Sequence, residues 1–169
     1  MAVETSSRAR IQLLVSVLPG VHLRQLQRLL GMSFNSTRYH VERMAKVGEI
    51  VRVEDGRYSR LYPPGISDRE KVVCSLIRGG TDRRILARLV MESGLSNKQL
   101  CELTGLAKST VSEHLAHQIQ LGIVVTRRTI EDEIVYGLED PYRIRSLLGK
   151  QSPALFKKAA DRFIELWDF

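Results

Sequence analysis

Cysteine, long apolar runs and catalytic motifs are all scarce in this chain. Cys74 and Cys101 are its two cysteines, and both fall in apolar helical patterns. Two thiols so placed supply neither a disulfide framework nor a metal cluster, and read as buried free thiols. No apolar stretch approaches the roughly 20 residues that a membrane span needs, and no signal-peptide pattern precedes Arg8. A soluble, cytoplasmic protein with no membrane partner is therefore expected. There is no Gly-rich phosphate loop, no Ser or Cys nucleophile beside a placed base, and no carboxylate pair in a cleft-forming pattern. Neither catalytic residues nor a cofactor are expected, and the chain does not read as an enzyme. His114 and His117 stand at i, i+3, but two ligands make an incomplete zinc site, so no metal is expected either.

What the chain does have is positive charge, unevenly spread. Its formal charge of +7 favours a polyanionic partner. Residues 1–66 carry 10 Lys/Arg against 5 Asp/Glu, whereas residues 79–140 carry 7 against 9. The tail from Pro141 to Phe169 is basic again, with 6 against 3. If nucleic acid is bound, the first part of the chain should supply most of the electrostatics.

One block of sequence recurs 74 positions on without a gap. The identities include Gly20/Gly94, Gln25/Gln99, Leu26/Leu100, Gly31/Gly105, His40/His114, Gly48/Gly122 and Val51/Val125. One supersecondary unit must then explain both halves. Apolar spacing at Ile11, Leu14, Val15 and Leu18 predicts a first helix, capped by Ser6 or Ser7 and ended by Pro19-Gly20. A second helix is expected over 22–30, with Leu23, Leu26, Leu29 and Leu30 on its buried side. Gly31 stops it in the left-handed conformation, and Met32 fills the corner. Ser33 then caps a third helix to about Val47, with Thr37, Val41, Met44 and Ala45 inward.

After Gly48 the period switches to two. Residues 50–53 and 58–62 flank Glu54-Asp55-Gly56-Arg57, a hairpin with Asp-Gly turn chemistry. In the second half, Thr81 or Asp82 should cap a helix to about Ser93. Helices over 96–104 and 108–121 follow, then a hairpin of 123–126 and 134–138 around 129–133. Asp140-Pro141 opens a short helix, and Ser152-Pro153 opens a last one. The fold class is mainly α with small β-hairpin wings (α+β), built as two tandem winged helix-turn-helix domains. The expected divisions are 1–66, a helical connector 67–80, 81–140, and C-terminal helices 141–169.

In a helix-turn-helix the third helix of the unit enters the major groove, so its outward face should carry base-reading groups. In the first unit these are Asn35, Ser36, Arg38, Tyr39, Glu42 and Arg43. Arg pairs bidentately with guanine and Asn with adenine, which makes Arg38 and Asn35 the best readers. Ser33, Ser36 and Tyr39 suit phosphate. Arg57 at the wing tip, and Arg52 or Arg60 on its strands, can reach a neighbouring backbone or minor groove. The second unit offers Lys108, Ser109, Thr110, Ser112, Glu113 and His117, but Glu131-Asp132-Glu133 at its wing would repel phosphate.

Both units resemble the winged helix-turn-helix regulators of the ArsR and MarR type. The resemblance rests on 106–115 (LAKSTVSEHL) with 121–124 (LGIV), and on 35–41 (NSTRYHV) with Asp55-Gly56-Arg57-Tyr58 and Leu61-Tyr62-Pro63. The first unit looks like the tandem winged-helix regulators common in archaea. The resemblance covers about residues 6–140 and implies DNA contact through the recognition helix and wing, with dimers usual. The chain departs from it at Gln118, which stands where a leucine normally packs, with Ile119 as its expected substitute. Metal sensing is not implied, because the clustered Cys/His ligands of that branch are missing.

On the terminal helix Phe156, Ala160, Phe163 and Trp167 line one face and form a candidate homodimer interface, or pack on their own second unit. Double-stranded DNA is the expected partner. The leading expectation is a sequence-specific transcriptional regulator acting by promoter occupancy, cytoplasmic and nucleoid-associated. The alternative is a winged-helix protein-interaction module in a chromosome-organising or basal transcription complex, with a transcription-machinery partner.

Overall fold

The computed structural model describes residues 6–56 and 58–150. Contacts divide the chain into two units within one helix, between Cys74 and Ser75. In the first, α1 (Ser7–Val17) starts where Ser6 Oγ accepts a hydrogen bond from the Ala9 amide at 3.3 Å. That cap satisfies one of the amides a helix start leaves without a partner. β1 (Val21–His22) is two residues long and leads straight into α2 (Leu23–Leu30). His22 Nδ1 caps α2 by accepting from the Gln25 amide. Gly31, at φ 63°, ends it in the left-handed region where a Cβ is disfavoured. Ser33 Oγ accepts from the Ser36 amide at 3.2 Å and opens α3 (Phe34–Lys46).

α3 gives way to β2 (Val51–Asp55) and β3 (Tyr58–Tyr62), an antiparallel hairpin to which β1 adds a third strand in the order β1-β3-β2. Asp55 pairs with Tyr58, so the first strand of the hairpin runs to Asp55 rather than ending at Val53. Gly56, at φ 59°, takes the first loop position, where a tight hairpin needs positive φ. Ile11, Val15, Leu26, Val41, Met44, Ile50 and Leu61 form the core among the three helices and the sheet. Leu23, Leu29, Met32 and Ala45 pack against it partly buried.

α4 (Asp68–Arg78) spans the division between units. In the second unit α5 (Gly80–Met91) is followed by β4 (Leu95–Ser96), α6 (Asn97–Thr104) and α7 (Lys108–Gln120). Then come β5 (Val124–Arg128), β6 (Ile134–Leu138) and α8 (Pro141–Lys150), with the sheet ordered β4-β6-β5. The repeat is thus structural: α6 and α7 reproduce α2 and α3 with both termini displaced by 74 residues. Ser96 and Gln99 form a reciprocal capping box at the start of α6. Asp140 Oδ1 caps α8 by accepting from the Arg143 amide.

Two expectations on this unit need correction. Neither Thr81 nor Asp82 caps α5; the cap is Gly79, which offers no side chain, because Asp82 Oδ1 is turned toward α7. Nor does Ile119 replace the missing leucine. Gln118 is 0% exposed and fills that place itself, while Ile119 is 38% exposed. The small paired strands β1 and β4 were not anticipated at all. Arg57, Phe156, Ala160, Phe163 and Trp167 lie outside the described residues. No helix among the described residues is long and apolar enough to cross a membrane.

Candidate nucleic-acid interface

Thr37, Val41 and Met44 are the buried stripe of α3, which turns the opposite side of the helix outward. That side carries Asn35, Arg38, Tyr39, Glu42 and Arg43, all exposed. Thr37 satisfies its buried hydroxyl by donating to the Ser33 carbonyl at 3.0 Å, so the inner face stays fully paired. Arg38 Nε donates to Glu42 Oε1 at 2.9 Å, an i, i+4 pair with both side chains well exposed. Such a pair is worth only a few tenths of a kcal/mol, so it orients the guanidinium without locking it away from a base edge. Asn35 has no partner among the described residues and is open to bond.

Arg43 and Tyr39 act together. Arg43 Nη1 donates to the Tyr39 hydroxyl at 2.9 Å, and its guanidinium lies 5.6 Å from the Tyr39 ring centroid. The phenol oxygen is thereby used as an acceptor, leaving its proton for a phosphate. The arginine's charge has no carboxylate opposite it in this contact, so the pair presents a stiffened cation. Ser33 spends its oxygen on the helix cap, and Ser36 is half-buried one turn inside.

The wing separates its arginines. Register pairs Arg52 with Leu61, Val53 with Arg60, and Glu54 with Ser59. Opposed residues share a face and alternate along a strand, so Arg52, Glu54 and Ser59 lie on one face and Arg60 on the other. Arg52 Nε donates to Glu54 Oε1 at 2.8 Å and to Ser59 Oγ at 3.0 Å. The Ser59 hydroxyl, then Arg52, hold the Glu54 carboxyl below its ordinary range. Arg60 reaches back to the Gly20 carbonyl instead, with Nη1 at 3.5 Å. Arg52 and Arg60 are therefore not brought together.

In the second unit Lys108, Ser109 and Ser112 are exposed on α7, and Thr110 is half-buried. Ala107 gives α7 no side-chain cap, so its first-turn amides are left without a side-chain acceptor there. Ser112 Oγ accepts from Asn97 Nδ2 at 3.0 Å, tying the recognition helix to the start of α6. Arg127 is exposed on the wing, whereas Arg128 pairs with Asp132. His114 plays the helix-to-helix role its repeat position suggests, with Nδ1 2.8 Å from Asp82 Oδ1. No group of three or more His, Cys, Asp or Glu among the described residues is arranged to hold a metal ion.

One feature escaped the reading of motifs. Arg24 and Lys98 occupy the same repeat position, the second residue of α2 and of α6, and both are exposed. A cation at a helix N-terminus is electrostatically unfavourable for the helix itself. The first helix of the motif crosses the DNA backbone, where a cation is useful. The gap-free alignment of the two halves sets these two cations opposite each other.

Comparison with known proteins agrees with this geometry. An N-terminal HTH domain family matches residues 5–74, and a winged helix-turn-helix DNA-binding family matches residues 79–125. The chain thus carries two tandem winged helix-turn-helix domains, and the family matched by the second is a DNA-binding one. No curated protein matches it. Among solved structures, a crystal structure of a Corynebacterium diphtheriae protein aligns with 78% of this chain at 17% identity and a TM-score of 0.31. The chain covers 26% of that protein's length.

Proposed function

We propose that this protein is a sequence-specific regulator of transcription that binds double-stranded DNA by occupying a promoter or operator site. The observation that carries the reading is the outward face of α3, where Asn35, Arg38 and the Tyr39–Arg43 pair stand together on a capped helix. Residues 1–66 serve as the principal reader and residues 81–140 as the second domain, with 67–80 between them and 141–169 after them. Asn35 and Arg38 read base edges. Ser33, Ser36, Tyr39, Arg43, Arg52, Arg57 and Arg60 hold the first unit on the duplex. Lys108, Ser109, Thr110 and Ser112 give the second unit a phosphate foothold.

A homodimer joined through Phe156, Ala160, Phe163 and Trp167 would set two readers on successive groove turns. The regulator is of the ArsR/MarR, archaeal-like type, cytoplasmic and nucleoid-associated. Selection from a random duplex library tests the reading: it should enrich one motif, with protection centred on the first unit's site. A library that emerges unenriched would refute it. The acidic second wing favours one further reading, a protein-interaction module in a chromosome-organising or basal transcription complex. That reading predicts a partner held independently of salt, with no duplex affinity.

A further inference from the structure

The two units differ most at one repeated spot. In the second unit Asp82, His114 and Gln118 close the gap between the start of α5 and the later turns of α7. The equivalent residues 74 positions earlier are Arg8, His40 and Met44, which make no such bridge. Arg8 pairs instead with Glu49, at the edge of the space left open. What remains is a cleft of about 410 Å3, floored by Met44 and Val47 and rimmed by the first turn of α1, His40 and Arg43. Arg43 is answered only by a phenol, whereas the charge of Arg8 is offset by Glu49, so the rim carries one uncompensated cation.

A matching knob stands at the second wing. Ile130 is wholly exposed (106%) in the loop 129–133. That loop is closed by Thr129 N to Glu133 O at 2.9 Å and Asp132 N to Thr129 O at 3.0 Å, so the isoleucine is held out rather than loosely tethered. Glu131 and Glu133 flank it, without a partner for either carboxylate among the described residues. Three acids beside a large apolar side chain suit neither a phosphate backbone nor bulk water.

We infer that the Ile130 tip of one copy docks in the α1–α3 cleft of a second copy, with Glu131 and Glu133 set against Arg43 and the α1 start. Shape and charge both match: a branched aliphatic knob meets an apolar floor, and acids meet a cationic rim. The contact is heterologous, joining different patches on the two chains. It is far smaller than the roughly 1,200–2,000 Å2 of a stable interface, so it is a weak contact of the DNA-free protein, which a disulfide can trap. It stands independently of the DNA-reading proposal, since it is testable without DNA.

The test mixes full-length Val47→Cys protein with full-length Ile130→Cys protein under mild oxidation and identifies joined peptides by mass spectrometry. A 47–130 disulfide between chains is expected. Glu131→Lys with Glu133→Lys in the Ile130→Cys chain should lower its yield at least tenfold. Arg43→Glu in the Val47→Cys chain should restore it. A yield no higher than that of Ser16→Cys paired with Ile130→Cys would overturn the inference, as would indifference to the charge reversal.

Discussion

His114 Nδ1 stands 2.8 Å from Asp82 Oδ1, joining the recognition helix of the second unit to the helix behind it. The same oxygen accepts from Gln118 Nε2 at 2.8 Å, while Gln118 Oε1 is buried with no hydrogen-bond partner among the described residues. The first unit makes this junction with Met44 and an open cleft. One fold thus sets its reading helix in two ways, by apolar packing and by a polar clamp.

Breaking the clamp has a sign that depends on which end is removed. Asp82→Ala leaves the Gln118 amide and the His114 ring without their acceptor, and should cost about 1–3 kcal/mol in urea unfolding. Gln118→Leu removes an amide that is only half satisfied and should leave stability within about 1 kcal/mol of the original. In the Gln118→Leu background, Asp82→Ala should cost less than it does alone. Equal costs in both backgrounds would show that the three groups do not act together.

Arg38→Ala and Arg24→Ala should fail differently. Loss of Arg38 should weaken the selected site by about 1–3 kcal/mol and relax choice at one base pair. Loss of Arg24 should weaken every duplex alike and reduce the salt slope by about one. Titration of matched and singly mismatched duplexes separates the two patterns. Relaxed specificity from Arg24→Ala would exchange their roles.

Glu54 restrains Arg52 on the wing. Glu54→Gln should raise affinity for any duplex at low salt and leave it unchanged at high salt, where the added attraction is screened. The pH dependence follows from the lowered carboxyl. Because the folded value lies below 4.5, the Glu54 contribution to the hairpin is complete above that pH and is lost as pH falls through the folded value. Amide resonances of Ser59 and Arg52 followed by NMR should therefore stay constant from pH 7 to 5 and move only below. A transition above pH 5 would show that Glu54 is not so held.

Gly31 tests the turn between α2 and α3. A Cβ there would meet nothing within 4 Å, so its cost is that of the left-handed backbone alone. Gly31→Ala should destabilise the first unit by about 1–2 kcal/mol, and Gly31→Asn by less. Thermal unfolding decides it; an alanine variant as stable as the parent would show that the turn has rearranged.

Helices and their stops were legible because each rests on a local signal. Ser6 and Ser33 cap where they stand, and Gly31 stops what precedes it. β1 and β4 were not legible, since two residues carry no periodicity and become strands only by pairing with β3 and β6. Asp82 misled for a related reason. It has the right chemistry for a cap, but a partner 32 residues away claims its carboxylate. At the site, the reading face of α3 followed from helical spacing. The commitments of Arg52 and Arg60 depended on register across the hairpin, which alternation alone does not supply.

The most direct test is affinity for the selected duplex and for a scrambled one, measured by fluorescence anisotropy across a salt series. A sequence-reading regulator predicts a gap of about 10³-fold or more between the two at physiological salt. Both affinities should fall with slopes that imply several phosphate contacts. Equal, weak binding to both duplexes that vanishes near physiological salt would contradict DNA reading by α3 and leave the basic charge of the first unit without that role.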